Sequence, residues 1–525
     1  MRDRAPARDA RQGVTLARSK PSTAAPAASG HHERMSAVDT AWLRMDSPGN
    51  AMMIVSVITT ATPVRLAELR RVIETRWLCF PRFRLRPVPD ALGASWQADP
   101  AFDLDRHLVP AELPAPGGQR ELETLVGTLA STRLDPARPL WQVHFVPRFG
   151  SGSAWILRLH HCYADGMALL RVLLSLSEQD AGPALAARAE SRPRPGAAGP
   201  GAPLLSLFDW LEHLAQPTGD VLESALAGGA RLLESGIHQI FHPDSAARLA
   251  RHAGGIAGEI GRLLALPDDP PSPLRRPLSG SKRVAWAPPL PLAEVQTVAR
   301  ALGCTVNDVL LATVAGALGA HLRSVRAAPA QDFVLRASVP VNLREADSGG
   351  ALGNRFGLVF VDLPVGIANP LQRVHAVQAS MGVIKDSAQP AATLLALGLL
   401  GRMPAGVQAP AVEMFSRKSS LVASNMPGPR APLHLCGQRI DSMHFWVPQS
   451  GSIGVGVSLL SYAGQVHAGL IADRKCLSDP GRLVRRLGPE FERLLLATTV
   501  GLLGTRPAAR RRRRKTARGR APPAD

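Results

Sequence analysis

The segment 155–176 constrains the fold of this chain more than any other part of its sequence. It contains, in order, the apolar run WILRL at 155–159, the heptapeptide HHCYADG at 160–166 and the leucine-rich run MALLRVLLSL at 167–176. The first run has the length of a buried strand and the last has the leucine spacing of a helix. Asp-Gly between them marks a sharp change of chain direction. The order predicts a strand, a turn and a helix, with two imidazoles at the strand end, where a cleft can open.

The two histidines of this turn are candidates for general-base chemistry. Histidine is the side chain whose ordinary pKa lets it take and return a proton near neutrality, and Asp165 lies close enough to fix the loop or an imidazole. A structural histidine at a strand end is the plainer alternative. A metal site is not expected, because His160 and His161 point to opposite faces of a strand. Cys162 is an alternative nucleophile, although its side chain should point away from the His161 imidazole.

The heptapeptide resembles the HHxxxDG motif of the coenzyme-A-dependent acyltransferase superfamily. Further blocks narrow the resemblance to the bacterial wax ester synthase/diacylglycerol acyltransferase family. They are MSAVD and AWL within 35–43, RPLW at 138–141, ND at 307–308, LGNRFG at 352–357 and SNMPGP at 424–429. Because several ordered blocks span about residues 35 to 500, the resemblance is far more specific than HHxxxDG alone. The chain departs from the family at Met53, where many members carry a histidine.

The resemblance implies roles for the residues of the turn. His161 would be the general base that deprotonates the acceptor hydroxyl and returns the proton to the departing thiol, in a direct attack with no acyl-enzyme. His160 would belong to the structure of the motif. Asp165 would fix the loop, for example through an arginine, and Gly166 would let the backbone turn without a Cβ.

Other candidate site residues lie outside the turn. The resemblance suggests Asn307, beside Asp308, as a possible donor to the oxyanion, while its position equally suits a cap for a helix beginning at Asp308. For substrate binding we consider the cations Arg275, Arg276, Lys282 and Arg283, which suit coenzyme A phosphates, and the PLW block Pro139, Leu140 and Trp141.

At 525 residues the chain is too long for one ordinary core, so two domains are expected. The pattern predicts two α/β halves, and the resemblance implies two chloramphenicol-acetyltransferase-like lobes with mixed sheets and the active site between them. We expect a disordered extension at 1–34, an N-terminal lobe with HHxxxDG at 35–180, a Pro/Gly linker and helical connector at 181–277, a C-terminal lobe with ND at 278–503 and a disordered polybasic tail at 504–525.

Local patterns place individual elements. Strands are predicted at 52–60, 141–146, 155–160, 334–339, 358–363 and 455–460, and helices at 66–75, 119–134 and 309–322 and from Asp165 to near Gln179. Leucines at helical spacing between 204 and 266 predict a helical bridge between the domains. An amphipathic surface resting on lipid is the alternative for that segment.

Charge is concentrated at the two ends of the chain. Residues 1–34 contribute +4 and residues 506–525 contribute +8 to a net charge of +19. The run RRRRRK at 510–515 is readable as a nucleic-acid patch, an anionic-membrane tether or an inert tail. Each basic residue near an anionic bilayer contributes about 1 kcal/mol, so six suffice for reversible attachment. We favour the tether and expect no nucleic acid.

The remaining composition favours the cytoplasm. Five scattered cysteines without motif spacing indicate reduced thiols. The N-terminus lacks the apolar core of a signal peptide, and Met35, which opens the family-like segment, is a candidate translation start. We expect a cytoplasmic protein attached peripherally to the inner membrane or to lipid inclusions.

These patterns lead to an acyl-coenzyme A:alcohol O-acyltransferase making triacylglycerol, wax ester or both. Acyl-coenzyme A is then a substrate, and no cofactor is implied. One alternative is another superfamily branch that esterifies a polyketide-type alcohol or condenses carrier-bound acyl groups. The other is a non-catalytic protein held on a lipid surface by the basic tail and the 204–266 helices.

Overall fold

The structure is a computed structural model that describes residues 33–177 and 255–504, without positions 92, 257, 326, 328, 345–351 and 386. Most of the predicted extension, the linker with most of the helical connector, and the basic tail lie outside the described residues. Glu33–Arg34, which we expected in the disordered extension, form strand β1. This strand pairs antiparallel with β4 (Gly93–Ala98) at the edge of a sheet.

The N-terminal lobe is built on a six-stranded sheet. Its strands are β2 (Met53–Thr60), β5 (Leu108–Pro110), β6 (Trp141–Phe149), β7 (Gly152–His160), β13 (His434–Leu435) and β14 (Gln438–Trp446). The strand order is β13-β14-β2-β7-β6-β5. The predicted division into two contiguous lobes is therefore wrong in one respect, because β13 and β14 come from the C-terminal half of the chain.

Smaller elements surround this sheet. β1, β4 and β3 (Leu85–Asp90) form a three-stranded sheet. The helices are α1 (Ala37–Met45), α2 (Leu66–Val72) with a π-helical continuation (Ile73–Trp77), α3 (Gln119–Ser131) and α4 (Gly166–Leu176), with 3₁₀ turns at Pro81–Arg84 and Leu104–Arg106. Helix α4 ends at Leu176, before the predicted limit near Gln179.

Strand β7 is buried along its whole length, because both faces of the sheet are covered. Trp155 and Leu157 face the larger core of the lobe, which also contains Trp42. Ile156 faces a smaller core shared with Trp446. A strand covered on both faces reads as a continuous apolar run, which is what the sequence shows at 155–159.

The C-terminal lobe is built on a seven-stranded mixed sheet. Its strands are β8 (Lys282–Trp286), β9 (Leu290–Pro291), β10 (Leu335–Asn342), β11 (Phe356–Leu363), β12 (Leu421–Pro427), β15 (Val455–Tyr462) and β16 (Gln465–Asp473). The order is β11-β10-β12-β15-β16-β8, and β9 also pairs with β16. Strand β12 runs parallel to both of its neighbours, β10 and β15. The predicted two-lobed α/β fold with mixed sheets is confirmed.

Helices cover this second sheet. They are α5 (Leu292–Leu302), α6 (Val306–Ser324), α7 (Pro370–Lys385), α8 (Gln389–Arg402), α9 (Ala405–Ser416), α10 (Pro480–Val484) and α11 (Leu487–Gly504). The predicted helix at 309–322 is the inner part of α6. Of the predicted connector, a helix at 258–265 is described, and its Leu263 belongs to a small core with Ala392 of α8.

Within the described ranges, no single helix has the length and apolar content needed to cross a membrane. The pair α5 and α6 meets those two criteria only when taken together, and it is bent by 101° at its break.

Candidate active site

His161 lies at the end of β7, between the two lobes. Its backbone N–H donates to the carbonyl of Met52 at 2.8 Å, which continues the β2–β7 ladder by one residue. The imidazole stacks on Trp42 of α1, with ring centroids 4.2 Å apart, and lies 5.5 Å from the ring of Phe356. Because Phe356 opens β11 of the C-terminal lobe, aromatic rings from both halves of the chain hold the imidazole.

Burial determines the protonation state of His161. The residue is 4 % exposed. Burial lowers the pKa of the imidazole to about 4, against the opposing effects of the Asp165 carboxylate and of its own backbone carbonyl. Its Nδ1 atom is buried, and the Asn354 side chain also acts on the imidazole in the direction of a higher pKa. The ring is therefore neutral at pH 7, the state that a general base requires.

Asp165 connects the motif loop to the C-terminal lobe. One carboxylate oxygen accepts the backbone N–H of Ala168 at 2.8 Å and caps α4. The other accepts from Nε and a terminal nitrogen of Arg344, at 3.1 and 2.9 Å, and from the backbone N–H of Arg355 at 3.0 Å. Both side chains of the ion pair are almost fully buried. The carboxylate therefore fixes the loop through an arginine of the opposite lobe.

Asn354 forms a second connection between the lobes. Its side-chain amide donates to Asp39 of α1 at 2.7 Å and to the backbone carbonyl of His161 at 2.8 Å. Its own backbone N–H donates to the same Asp39 oxygen at 3.1 Å. Next to it, the Gly353 carbonyl accepts the backbone N–H of Asp165. Residues 353–355 therefore hold the backbone of the HHxxxDG loop at both ends.

His160 is also buried, but its contacts differ from those of His161. It is in register with Met53 of β2, and its Nδ1 accepts the backbone N–H of Cys162 at 3.2 Å. Its Nε2 lies 3.9 Å from a carboxylate oxygen of Asp46. Burial lowers the pKa of His160 to about 4. These contacts give His160 a place in the structure of the loop.

The alternative nucleophile Cys162 is fully buried, and burial raises the pKa of its thiol well above the ordinary value. A protonated, inaccessible thiol is a poor nucleophile, so the structure argues against a covalent role. Among the described residues, no group of three or more His, Cys, Asp or Glu side chains is arranged to hold a metal ion.

The explanation predicted for Gly166 is wrong. Its φ lies outside the left-handed region, and it is the first residue of α4 rather than a turn residue. A Cβ at this position would approach the sulfur of Met426 to 2.6 Å. Met426 belongs to β12, within the SNMPGP block. The glycine therefore allows close contact with the C-terminal lobe.

Asn307 does not cap its helix, contrary to one of our two interpretations. Thr305 is the N-cap of α6, and it exchanges hydrogen bonds with Asp308 in a capping box. The Asn307 side chain accepts a hydrogen bond from Asn425 at 3.1 Å, and its amide lies 4.0 Å from the sulfur of Met381. No hydrogen bond between Asn307 and His161 is present among the described residues.

The four candidate phosphate-binding cations do not share one surface. Arg276 and Arg283 are exposed, and Arg275 donates to the backbone carbonyl of Asp269. Lys282 is 6 % exposed, and its ammonium donates to Asn50 at 2.9 Å and to Gln449 at 3.0 Å. Burial lowers the pKa of Lys282 to about 8. Lys282 thus contacts both halves of the chain inside the protein, and the prediction that it faces phosphate does not fit this position.

The PLW block contacts the HHxxxDG loop through hydrogen bonds and packing. The backbone N–H of Leu140 donates to the Tyr163 hydroxyl at 2.9 Å, and its carbonyl accepts the backbone N–H of His160 at 2.9 Å. Trp141 is fully buried, with its indole N–H donating to the carbonyl of Phe83 at 2.8 Å. Pro139 precedes this pair at the start of β6. These three residues therefore hold the HHxxxDG loop in place.

Sequence reasoning missed five residues of the site. Trp42 and Asp39 lie in the opening block, and Asn354 and Phe356 lie in the LGNRFG block, both of which we quoted as family-like without assigning roles. Arg344 lies outside every block. For the first four, the family-like blocks were the available signal.

Comparisons with known proteins place the chain in a family. A model of the wax ester synthase/diacylglycerol acyltransferase catalytic domain matches residues 35–310, and a model of the WS/DGAT C-terminal domain matches residues 352–495. A probable diacylglycerol O-acyltransferase of Mycobacterium tuberculosis is 32% identical over 422 residues, covering 79% of this chain and 84% of that protein. A putative one from the same organism is 30% identical over 483 residues, covering 88% and 97%.

Solved structures show the same fold. The wax ester synthase/diacylglycerol acyltransferase from Marinobacter aquaeolei VT8 has a TM-score of 0.60 at 21% identity, covering 89% of this chain and all of that one. The first condensation domain of the CDA synthetase has a TM-score of 0.52 at 16% identity, covering 88% and 96%.

Proposed function

This chain belongs to the wax ester synthase/diacylglycerol acyltransferase family and is an acyltransferase, and from that premise we propose that it transfers a fatty acyl group from acyl-coenzyme A to diacylglycerol, a long-chain alcohol or both. One observation carries the proposal. The His161 imidazole is buried, neutral and held between the lobes in the HHxxxDG loop. The names of the similar proteins support both acceptor classes.

The proposed reaction is a direct attack. The Nε2 of His161 takes the proton of the acceptor hydroxyl as its oxygen bonds to the thioester carbonyl carbon. The resulting tetrahedral oxyanion collapses, the carbon–sulfur bond breaks, and the thiolate takes the proton from Nε2–H. The base is unchanged at the end, and ester and free coenzyme A are the products.

Asn307 is our proposed source of oxyanion stabilisation. Its side-chain oxygen accepts a hydrogen bond from Asn425. Among the described residues, its amide group has only a thioether sulfur nearby, at 4.0 Å, which is a weak acceptor. The amide protons are therefore available to a stronger acceptor. The oxyanion would then lie on the Asn307 side of the cleft between the lobes.

The acceptor is tested directly. Purified protein is incubated with palmitoyl-coenzyme A and either dioleoylglycerol or hexadecanol, and both free thiol and ester are measured. We expect ester with at least one acceptor, in amounts equal to the thiol released. Ester with neither acceptor, but with a polyketide-type alcohol, would favour another superfamily branch. No thiol release with any alcohol would favour the non-catalytic lipid-surface protein.

The pH dependence of kcat/KM follows from the buried base. Because burial lowers the pKa of His161 to about 4, the imidazole stays neutral, and able to accept a proton, well below pH 6.5. We expect kcat/KM to be nearly constant from pH 7.5 to pH 5.5 and to fall below about pH 5. An acidic limb centred near pH 6.5 would show that the base in the free enzyme is not this buried imidazole.

For the cell we propose peripheral attachment to an anionic membrane or lipid inclusion through the basic tail. The net charge of +8 over residues 506–525 supports this proposal. Deletion of 506–525 should reduce binding to vesicles rich in phosphatidylglycerol at low salt, with neutral vesicles as the control. Equal binding of the full and truncated chains would disprove the tether.

A further inference from the structure

A narrow apolar cavity lies inside the N-terminal lobe, between the sheet and helices α2 and α4. All eleven residues that line it are apolar, and its free volume is about 30 Å³. Trp155 and Leu157 form its floor on β7, and Leu173 and Leu176 belong to α4. Protein interiors rarely leave such gaps, and a cavity without polar lining stays dry and accepts apolar ligands.

The cavity lies on the same face of the sheet as the candidate base. Side chains alternate along β7, so Trp155, Leu157 and Leu159 share one face, and all three belong to the larger core. His161, two residues after Leu159, lies on the same face. Its backbone extends the β2–β7 ladder, and its ring stacks on Trp42 of the same core. No layer of the sheet separates the imidazole from the cavity.

The separation matches a fatty acyl chain. Leu157 lies four residues before His161, which corresponds to about 13 Å along a strand. A zigzag chain with carbon–carbon bonds of about 1.5 Å advances about 1.3 Å per carbon. A chain whose carbonyl lies against His161 therefore reaches the cavity after about ten carbons. Helix α4 provides a matching apolar stripe, because Leu169, Leu173 and Leu176 lie on one face of it.

We propose that this cavity holds the methyl end of the acyl chain of the donor, and that Leu173 and Val72 set the chain-length limit. The inference rests on the proposed function. Leu173 and Val72 are the two lining residues that are only partly buried, so surrounding atoms constrain their side chains less than those of the other lining residues. A free volume of about 30 Å³ has room for the end of one acyl chain, which suits a single-chain acyl-coenzyme A better than the two chains of diacylglycerol.

A larger side chain in the cavity should shift the preference of the enzyme towards donors with shorter acyl chains. In Leu173→Phe, the ratio of kcat/KM for palmitoyl-coenzyme A to that for octanoyl-coenzyme A should fall at least ten-fold, with one acceptor throughout. Each excluded methylene loses several-fold in binding, and the octanoyl chain ends before the cavity. Leu173→Ala should shift the optimum towards longer chains. Leu174→Phe is the matched control, because Leu174 is the partly buried neighbour on α4 that does not line the cavity.

A second arm varies the alcohol. With palmitoyl-coenzyme A fixed, the dependence on alcohol length from C8 to C16 should be the same in Leu173→Phe and the parent. A change confined to the alcohol series would assign the cavity to the acceptor and overturn the donor assignment. An unchanged donor ratio in a Leu173→Phe protein that unfolds at the parent temperature would overturn the proposal entirely.

A binding experiment separates this inference from the proposed reaction. The substitution Leu173→Phe is made in a His161→Gln protein. Calorimetry should then show that it weakens the binding of palmitoyl-coenzyme A at least ten-fold more than the binding of octanoyl-coenzyme A. If the parent forms no ester but this selective loss occurs, the proposed reaction fails and the cavity assignment stands. If the parent forms ester and the loss is absent, the cavity assignment fails alone.

Discussion

His161→Gln should lower kcat for acyl transfer by about 10²–10⁴-fold, the usual contribution of a positioned general base. Glutamine retains most of the side-chain volume and a polar end, so Trp42 and Phe356 keep a packing partner. It cannot take a proton at neutral pH. The measurement is thiol release from palmitoyl-coenzyme A under single-turnover conditions, with whichever acceptor the parent uses.

His375→Gln is the control for this variant, because His375 is exposed on α7. It should match the parent in kcat and in thermal unfolding. If His161→Gln retained parental kcat, the direct-attack proposal would have no base, since Cys162 is buried and protonated. His160→Gln tests the division of roles between the histidines. We expect it to act mainly on stability, because His160 accepts a backbone hydrogen bond within the loop.

Asp165→Ala should lower the free energy of unfolding by about 3–5 kcal/mol, because it removes one partner of a buried ion pair. The same change removes the cap of α4, which contributes about 1 kcal/mol more. Urea unfolding followed by circular dichroism measures the loss. A drop below about 1 kcal/mol would mean that the ion pair does not connect the lobes in solution.

Asp362→Ala is the matched control, because Asp362 also pairs with an arginine, Arg336, but is mostly exposed. An exposed pair contributes about 0–1 kcal/mol, so this variant should unfold almost as the parent does. The double variant Asp165→Ala/Arg344→Ala should lose less than the sum of the two single variants, because each single change already breaks the ion pair that the two side chains share. Additive losses would place the two side chains in separate interactions.

Local features of this fold were predictable, because short-range patterns carry them. The strand, turn and helix at 155–176 follow from an unbroken apolar run, Asp-Gly and leucine spacing within about twenty residues. Lys282 was not predictable in this way. In sequence it stands beside Arg283 and reads as part of a solvated basic face, but β8 is a strand of the C-terminal sheet and packs against α3. The burial of Lys282 therefore results from tertiary packing, which the basic residues around it in the sequence do not indicate.

The connections between the lobes were equally hidden. Asn354 resembles an ordinary loop residue, and its partners Asp39 and His161 lie far away in sequence. Gly166 beside Asp165 reads as a turn, while the atom that a Cβ at this position would approach is the sulfur of Met426. Such contacts depend on the path of the chain between the lobes, which periodicity and local propensity do not encode. Family-like blocks indicated which segments matter without indicating what they touch.

The shared sheet affects how this protein is made on the ribosome. Strand β14 pairs with β2, and the contact between Thr59 and Ser442 joins residues 383 positions apart. At typical rates of synthesis, β2 remains an unpaired edge for roughly 20–75 s before its neighbour is translated. An apolar edge of that kind invites pairing with other nascent chains. Yield during expression should therefore depend on chaperone supply, and a fragment ending near residue 310 should aggregate although it contains the whole HHxxxDG turn.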